Sequence, residues 1–292
     1  KTQLDAAIAL LARKSTLAAA GLRTPTIEKP WTLAEFNDAL AKAKATGKYD
    51  YAISLGTGWD GEWYPYGFSP LLQSFGGDLI NRKTNKTAEG VLNGAAAVAW
   101  GKWFQNIFAQ GLAPKKETAD QRDNGFVTGK IAYQWNGSWA AATAAEKLGS
   151  DFIALPPPNL GTKAYIGGGS WQWAVSSTCA NKAGANAWVQ FALQTKYLTK
   201  FADDLFNLPI TAEATKASKT FGPSSKYADF AKFSATFALI RPATPAYPVI
   251  AKVFETATKD IINGADVQKT LDSAVDQIDK NLKDNYFYVK KK

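Results

Sequence analysis

Asp60 and Glu62 stand two residues apart in a stretch crowded with rings. Trp59, Trp63, Tyr64, Tyr66, Phe68 and Phe75 all fall within residues 56–77. On a strand that spacing would turn both carboxyls to one face. Glycoside hydrolysis needs two carboxyls across the scissile bond, roughly 5–9.5 Å apart, and the sequence shows no acidic group opposite this pair. A glycoside hydrolase using Asp60 and Glu62 in an aromatic cleft is therefore the alternative reading. The same residues suit binding without chemistry: rings pack on the apolar C–H face of a sugar while charged groups take up its hydroxyls. A loop that only plugs a hydrophobic hole would show the same composition.

A second candidate is Gly167-Gly168-Gly169-Ser170-Trp171-Gln172-Trp173-Ala174-Val175. Without Cβ atoms its glycines let the backbone pass close to a ligand or another strand. Trp171, Trp173 and Val175 alternate with Gln172, Ala174 and Ser176, which predicts a strand with one apolar face. Trp171, at the open glycine end, is the ring placed to meet a ligand; Trp173 suits a core equally well. Trp139 follows the strand Ile131-Ala132-Tyr133-Gln134-Trp135 and an Asn136-Gly137 turn, at the start of an alanine-rich helix. Such a junction puts free backbone N–H groups beside an indole, which suits a polyhydroxylated guest. Trp135 reads as core.

The chain contains no histidine and a single cysteine, Cys179. That removes Ser-His-Asp and Cys-His nucleophile systems, HExxH zinc sites and any internal disulfide. No cofactor and no metal are expected.

The elements that must hold these groups read as alternating strands and helices. The apolar run 4–12 contains a strand, Ala7-Ile8-Ala9-Leu10-Leu11. Ser15 is set to cap a short helix over 16–20 that stops at Gly21. Thr32-Leu33-Ala34-Glu35 is a capping box, with Trp31 placed to staple onto Phe36, and its helix continues to Gly47. Strands follow over 49–55, 131–135 and 151–155, the last running into Pro156-Pro157-Pro158. Residues 56–77 read as an irregular loop, because Gly58, Gly61, Pro65, Gly67 and Pro70 interrupt any regular helix early in it. A helix is expected over 88–110. Asn181 caps another with the stripe Trp188, Phe191, Ala192 and Thr195. Asn207-Leu208-Pro209-Ile210 reads as a crossing, and Gly222-Pro223-Ser224-Ser225 as a break. Arg241-Pro242-Ala243-Thr244-Pro245-Ala246-Tyr247-Pro248 is a rigid loop carrying one guanidinium and one ring. Two helices close the chain, with Ile250, Val253, Phe254, Ala257 and Ile261, then Val267, Leu271, Val275, Ile278 and Leu282, facing inward.

With 292 residues, 46% hydrophobic and 20% charged, the composition is that of a globular protein large enough for two domains. No stretch is long and apolar enough for a membrane helix. The chain starts at Lys1 and has no methionine, so it reads as a mature or truncated product. The net charge of +9 is spread as single lysines among acidic residues, with a basic tail at Lys290, Lys291 and Lys292. A solvated surface accounts for this more simply than a nucleic-acid groove. Single-stranded nucleic-acid binding stays as a third reading, and it predicts steep salt dependence.

In this order the pieces resemble the family-1 extracellular solute-binding proteins of sugar ABC importers, the relatives of maltose-binding protein. The matching stretches are Ala12-Arg13-Lys14-Ser15 with Ala20-Gly21-Leu22 and Trp31-Thr32; Phe126-Val127-Thr128-Gly129-Lys130-Ile131-Ala132; Asn136-Gly137-Ser138-Trp139; Leu155-Pro156; residues 167–175; and Arg241-Pro242 through Tyr247-Pro248. They span nearly the whole chain. The resemblance implies an α/β, two-lobe, type II periplasmic-binding-protein-like fold with crossing strands at a hinge. Residues 6–158 would form the first part of the second lobe, 163–218 the remainder of the first lobe, and 219–292 the C-terminal helices of the second. About 100 residues of first lobe would precede the stretch that here begins almost at once.

The resemblance also implies a site. Trp139 corresponds to the stacking tryptophan of the second lobe, and Trp171 to the one meeting the sugar from the crossing segment beside Gly168 and Gly169. Trp59, Asp60, Glu62, Trp63 and Tyr66 correspond to the aromatic and acidic wall, and Arg241 and Tyr247 to the loop closing the cleft. The implied protein is an exported, periplasmic or cell-surface monomer. It would trap a sugar or polyol without catalysis and deliver it to a membrane permease.

Overall fold

The computed structural model describes residues 5–169 and 171–288. Its centre is a four-stranded sheet in the order β2-β3-β1-β4. Strand β1 (Ile8–Arg13) is buried along its whole length. It runs antiparallel to both β3 (Ile131–Gly137) and β4 (Phe152–Leu155), while β2 (Tyr51–Ser54) is parallel to β3. Covered on both faces, β1 and β3 read as near-continuous apolar runs rather than as alternation. The end of β1 is anchored by Arg13, whose guanidinium lies 4.7 Å from the Phe126 ring and donates to the Phe126 and Ile131 carbonyls.

Helix α1 (Lys14–Ala19) follows β1 directly. Its N-terminus departs from expectation: Asp151 rather than Ser15 accepts there, taking the Ser15 N–H and hydroxyl at 2.7 Å each. The helix does end at Gly21, where Leu22 N–H reaches the Leu17 carbonyl. Helix α2 (Leu33–Ala45) starts on the expected Thr32–Glu35 capping box, and Trp31 and Phe36 are both buried beside it.

After β2 the irregular segment is shorter than the glycines and prolines suggest. From Tyr64 the chain forms a π-helical turn, Tyr64–Phe68, continuing into α3 (Ser69–Phe75). Pro65 sits in the first turn, where a missing N–H costs nothing, and Pro70 lies where the π-helical turn passes into α3. Helix α4 (Ala95–Ala109) begins after Gly94, several residues later than its apolar pattern predicts, and the preceding residues form turns. After α5 (Ala119–Asp123), Asn136 and Gly137 prove to be the last residues of β3 rather than a turn. They pair with Ala9 and Ile8, so α6 (Ser138–Leu148) starts straight off the strand.

Beyond β4 and the proline run, β5 (Ile166–Gly168) pairs in parallel with β6 (Ala238–Ile240). Residues 171–176 were expected to extend this strand; they form no ladder and are largely solvent-exposed, and Ser170 lies outside the described residues. Asn181 caps α7 (Lys182–Ala192) as expected, followed by α8 (Thr195–Leu205), α9 (Ala212–Ala217) and α10 (Ala228–Phe237). The Trp188 and Phe191 stripe of α7 does not reach a core: both rings are half exposed. Leu208 pairs with Asp5 in an isolated antiparallel bridge. The last helices, α11 (Tyr247–Asn263) and α12 (Val267–Asp284), bury the expected residues, and α11 packs on α4, α12 and the π-helical turn. The basic tail lies outside the described residues.

Candidate functional site

A cleft of about 430 Å³ opens where the π-helical turn, the start of α6, the end of β5 and the loop after β6 converge. It is lined by Trp59, Glu62, Trp63, Tyr66, Trp139, Gly169, Trp171 and Arg241. Its floor is built from fixed rings. The Trp63 N–H donates to the Leu55 carbonyl at 3.0 Å, and the Tyr66 hydroxyl to the Ala6 carbonyl at 3.2 Å. Burial holds the Tyr66 phenol protonated, well above its ordinary range. Trp59 meets Trp63 edge to face at 4.5 Å, and Trp139 lies 6.4 Å from each of Trp59, Trp63 and Tyr66.

Two glycines make these positions possible. A Cβ on Gly137 would fall 2.0 Å from the six-membered ring of Trp139, so only glycine lets that indole fold back over the strand end. A Cβ on Gly167 would fall 2.4 Å from the Tyr66 carbonyl oxygen, so β5 can press against the π-helical turn.

The cleft holds one ion pair. Arg241 Nε lies 2.6 Å from Glu62 Oε1, and the Tyr247 hydroxyl donates to the same oxygen at 2.7 Å. The two outer nitrogens of Arg241 donate to the Gly168 and Gly169 carbonyls at 3.1 Å each, and the guanidinium lies 5.1 Å from the Tyr66 ring centroid. Burial and the Glu62 carboxylate both push the Tyr247 phenol up. Among the described residues the indole N–H groups of Trp59 and Trp139 meet no hydrogen-bond acceptor, leaving two donors beside apolar walls.

The structure thus brings most of the candidate residues to one opening and leaves three off its lining. Asp60 turns away to Lys259, at 2.5 Å, and is largely solvated. Gly168 faces Arg241 with its carbonyl inside β5. Tyr247 stands behind Glu62. Trp173 packs edge to face on Trp188 at 4.8 Å, away from the cleft lining. One supporting side chain has little signal in the sequence: Arg122, paired with Asp123, stands over the Trp59 ring, 5.3 Å from its centroid. Its only sequence signal is the Thr118–Gln121 capping box that starts α5. Among the described residues no cluster of three or more Cys, Asp or Glu is placed to hold a metal.

An aromatic cleft with few polar groups, set where separate segments converge, has the character of a small-molecule site. The family model for bacterial extracellular solute-binding proteins matches residues 2–198, and the chain belongs to that family. Its fold is the two-lobe type II fold of maltose-binding proteins. The GacH receptor of Streptomyces glaucescens, solved unliganded and with acarbose, is 21% identical with a TM-score of 0.76, over 99% of this chain and 71% of that one. The sugar-binding protein MalE from Xanthomonas citri is 17% identical with a TM-score of 0.77, over 98% and 71%. UgpB from Mycobacterium tuberculosis, in complex with glycerophosphocholine, is 19% identical with a TM-score of 0.76, over 97% and 70%. No curated protein matches the chain in sequence.

Proposed function

We propose that this chain binds a neutral sugar or polyol in the aromatic cleft, without catalysis, and presents it to the membrane permease of an ABC importer. The observation that carries this is the convergence of Trp59, Trp63, Tyr66, Trp139 and Trp171 on one opening of about 430 Å³, within the range of roughly 300–1,000 Å³ usual for small-molecule sites. A pyranose packs its C–H face on Trp139 and Tyr66, whose planes are 32° apart, and its hydroxyls accept from the free indole N–H groups. Among the described residues the only charges at the lining, Glu62 and Arg241, neutralise each other, which favours an uncharged guest.

Residues 6–158 and 219–292 form one lobe in this reading, and 163–218 contribute to the other. The proline run Pro156-Pro157-Pro158 and the Asp5–Leu208 bridge stand where the chain would pass between the lobes, and the β5–β6 pair would tie the two together at the hinge. Binding selects the closed arrangement because only closure brings Trp171 down onto a guest resting on Trp139. Hydrolysis is disfavoured: Glu62 is the one carboxylate at the lining, and Asp60 is held outside by Lys259.

Calorimetric titration with maltodextrins, monosaccharides and polyols, followed in parallel by tryptophan fluorescence, tests the proposal. Saturable heat with a fluorescence change for at least one neutral ligand, and no product formed, is the expected result. Silence in both signals across the whole series, or binding of only charged ligands, would overturn it.

A further inference from the structure

The cleft wall between β2 and the π-helical turn is held from outside by two buried carboxylates, neither of which lines the cleft. Glu117 Oε1 accepts the Leu55 and Gly56 N–H groups at 2.8 and 3.0 Å, where the wall begins. Its own backbone N–H donates to Thr57 Oγ1 at 3.2 Å. Glu255, on α11, accepts the Gly61 N–H at 2.9 Å, where the wall ends. Lys259 joins Glu255 at 2.6 Å to Asp60 at 2.5 Å, and its ammonium stands 5.0 Å from the Tyr64 ring. Between these two anchors the chain carries Trp59 alone among rings, and Glu62 follows directly after the second.

We propose that Glu117 and Glu255 are positioning residues for ligand binding: by capturing main-chain N–H groups at the two ends of residues 55–61, they set the Trp59 ring and the Glu62 carboxylate at the cleft. This rests on the cleft being the ligand site. A loop with three glycines in seven positions, counting Gly56, Gly58 and Gly61, has many backbone conformations open to it. The captured N–H groups remove that freedom at both ends. Opposite charges face the anchors: Lys252 and Lys259 pair with Glu255, and Arg122 acts on Glu117 from α5. Tyr64 lies within electrostatic reach of both carboxyls. Each anchor is long enough to reach the loop only because it is glutamate, so shortening the side chain separates reach from charge.

The test uses the full chain and a sugar that the wild type binds. Glu117→Ala, Glu117→Asp and Glu255→Asp are each expected to raise Kd about tenfold or more, the scale of one lost hydrogen bond to a charged group. Glu117→Gln keeps the acceptor and the length, and is expected to restore Kd to within about threefold of wild type. Amide exchange at Leu55, Gly56 and Gly61 is expected to speed up in the shortened variants and to stay slow in Glu117→Gln. This second readout holds if no sugar is found, so that loss of the binding reading and loss of the anchoring are told apart. Shortened variants that keep the wild-type Kd, or that show unchanged exchange at these three amides, would overturn the proposal. So would a Glu117→Gln variant as weak as Glu117→Ala.

Discussion

Trp139 owes its place to a neighbour with no side chain. Its ring occupies the space a Cβ on Gly137 would need, 2.0 Å away, and Gly137 has an ordinary extended backbone with φ −89°. Gly137→Ala therefore acts by steric displacement rather than by backbone strain. Binding is expected to weaken with every aromatic residue still present, and calorimetry against Trp139→Ala, which should lose about 2 kcal/mol, measures how much of the stacking depends on ring position. The titrating groups divide by sign. Burial pushes Glu255 up, but Lys259, the Gly61 N–H and Lys252 together hold it at about 2, against an ordinary 4.5. Glu35 is also held at about 2, chiefly by Arg23 and then by the Thr32 N–H. Both contribute stability that is present above about 4.5 and lost as pH falls toward 2; Glu35 is partly exposed and contributes less. Glu117 has the opposite sign, since burial raises it: its ionised form costs stability at neutral pH. Thermal melts over this range are expected to show a shallower acid loss for Glu255→Gln, and for Glu117→Gln a gain at neutral pH that shrinks on acidification.

At the level of elements, the site depends on close approach. The π-helical turn Tyr64–Phe68 lies against β5, and the contact tolerates no side chain at Gly167, where a Cβ would meet the Tyr66 carbonyl oxygen at 2.4 Å. Backbone cannot rotate out of the way as a side chain can. Gly167→Ala is expected to destabilise the fold by about 1–3 kcal/mol and to weaken binding further by moving Tyr66 and Arg241, measured by denaturant melts beside titration. Helix starts were the most legible elements, because capping is local chemistry: Thr32 with Glu35 and Asn181 with the Gly184 N–H both appear as their sequences indicate. Ser15 failed as a cap because Asp151, 136 residues away, supplies the stronger acceptor. The strand predicted over 171–176 failed differently. Alternation says which side chains share a face, yet a strand exists only if a partner backbone pairs with it, and β5 is paired by β6 only through Gly168.

Across the whole molecule, the Arg241–Glu62 pair leaves the cleft without net charge at its lining. Raising salt from low to molar concentration is expected to change the Kd for a neutral ligand by less than about twofold, whereas a nucleic-acid groove would lose orders of magnitude. Away from the cleft lining, the rings of Trp173 and Trp188 pack on each other while staying about half exposed, and Phe191 of the same helix is also half exposed. A helical stripe was evident on α7, but periodicity reveals an apolar face without revealing what covers it. Much else was set by chain-local rules: the buried β1, the caps, the two closing helices, and an absence of histidine that excludes imidazole chemistry outright. The candidate rings were marked by type, because indoles beside glycines and carboxylates suit few tasks. Which of them share an opening depended on contacts between distant segments: Glu62 to Arg241 and Tyr247, Asp60 to Lys259, Gly61 to Glu255. Residue type and spacing fix what a group can do within a few neighbours. Where a carboxylate points is decided by whichever partner, however remote in the chain, folding carries within about 3 Å.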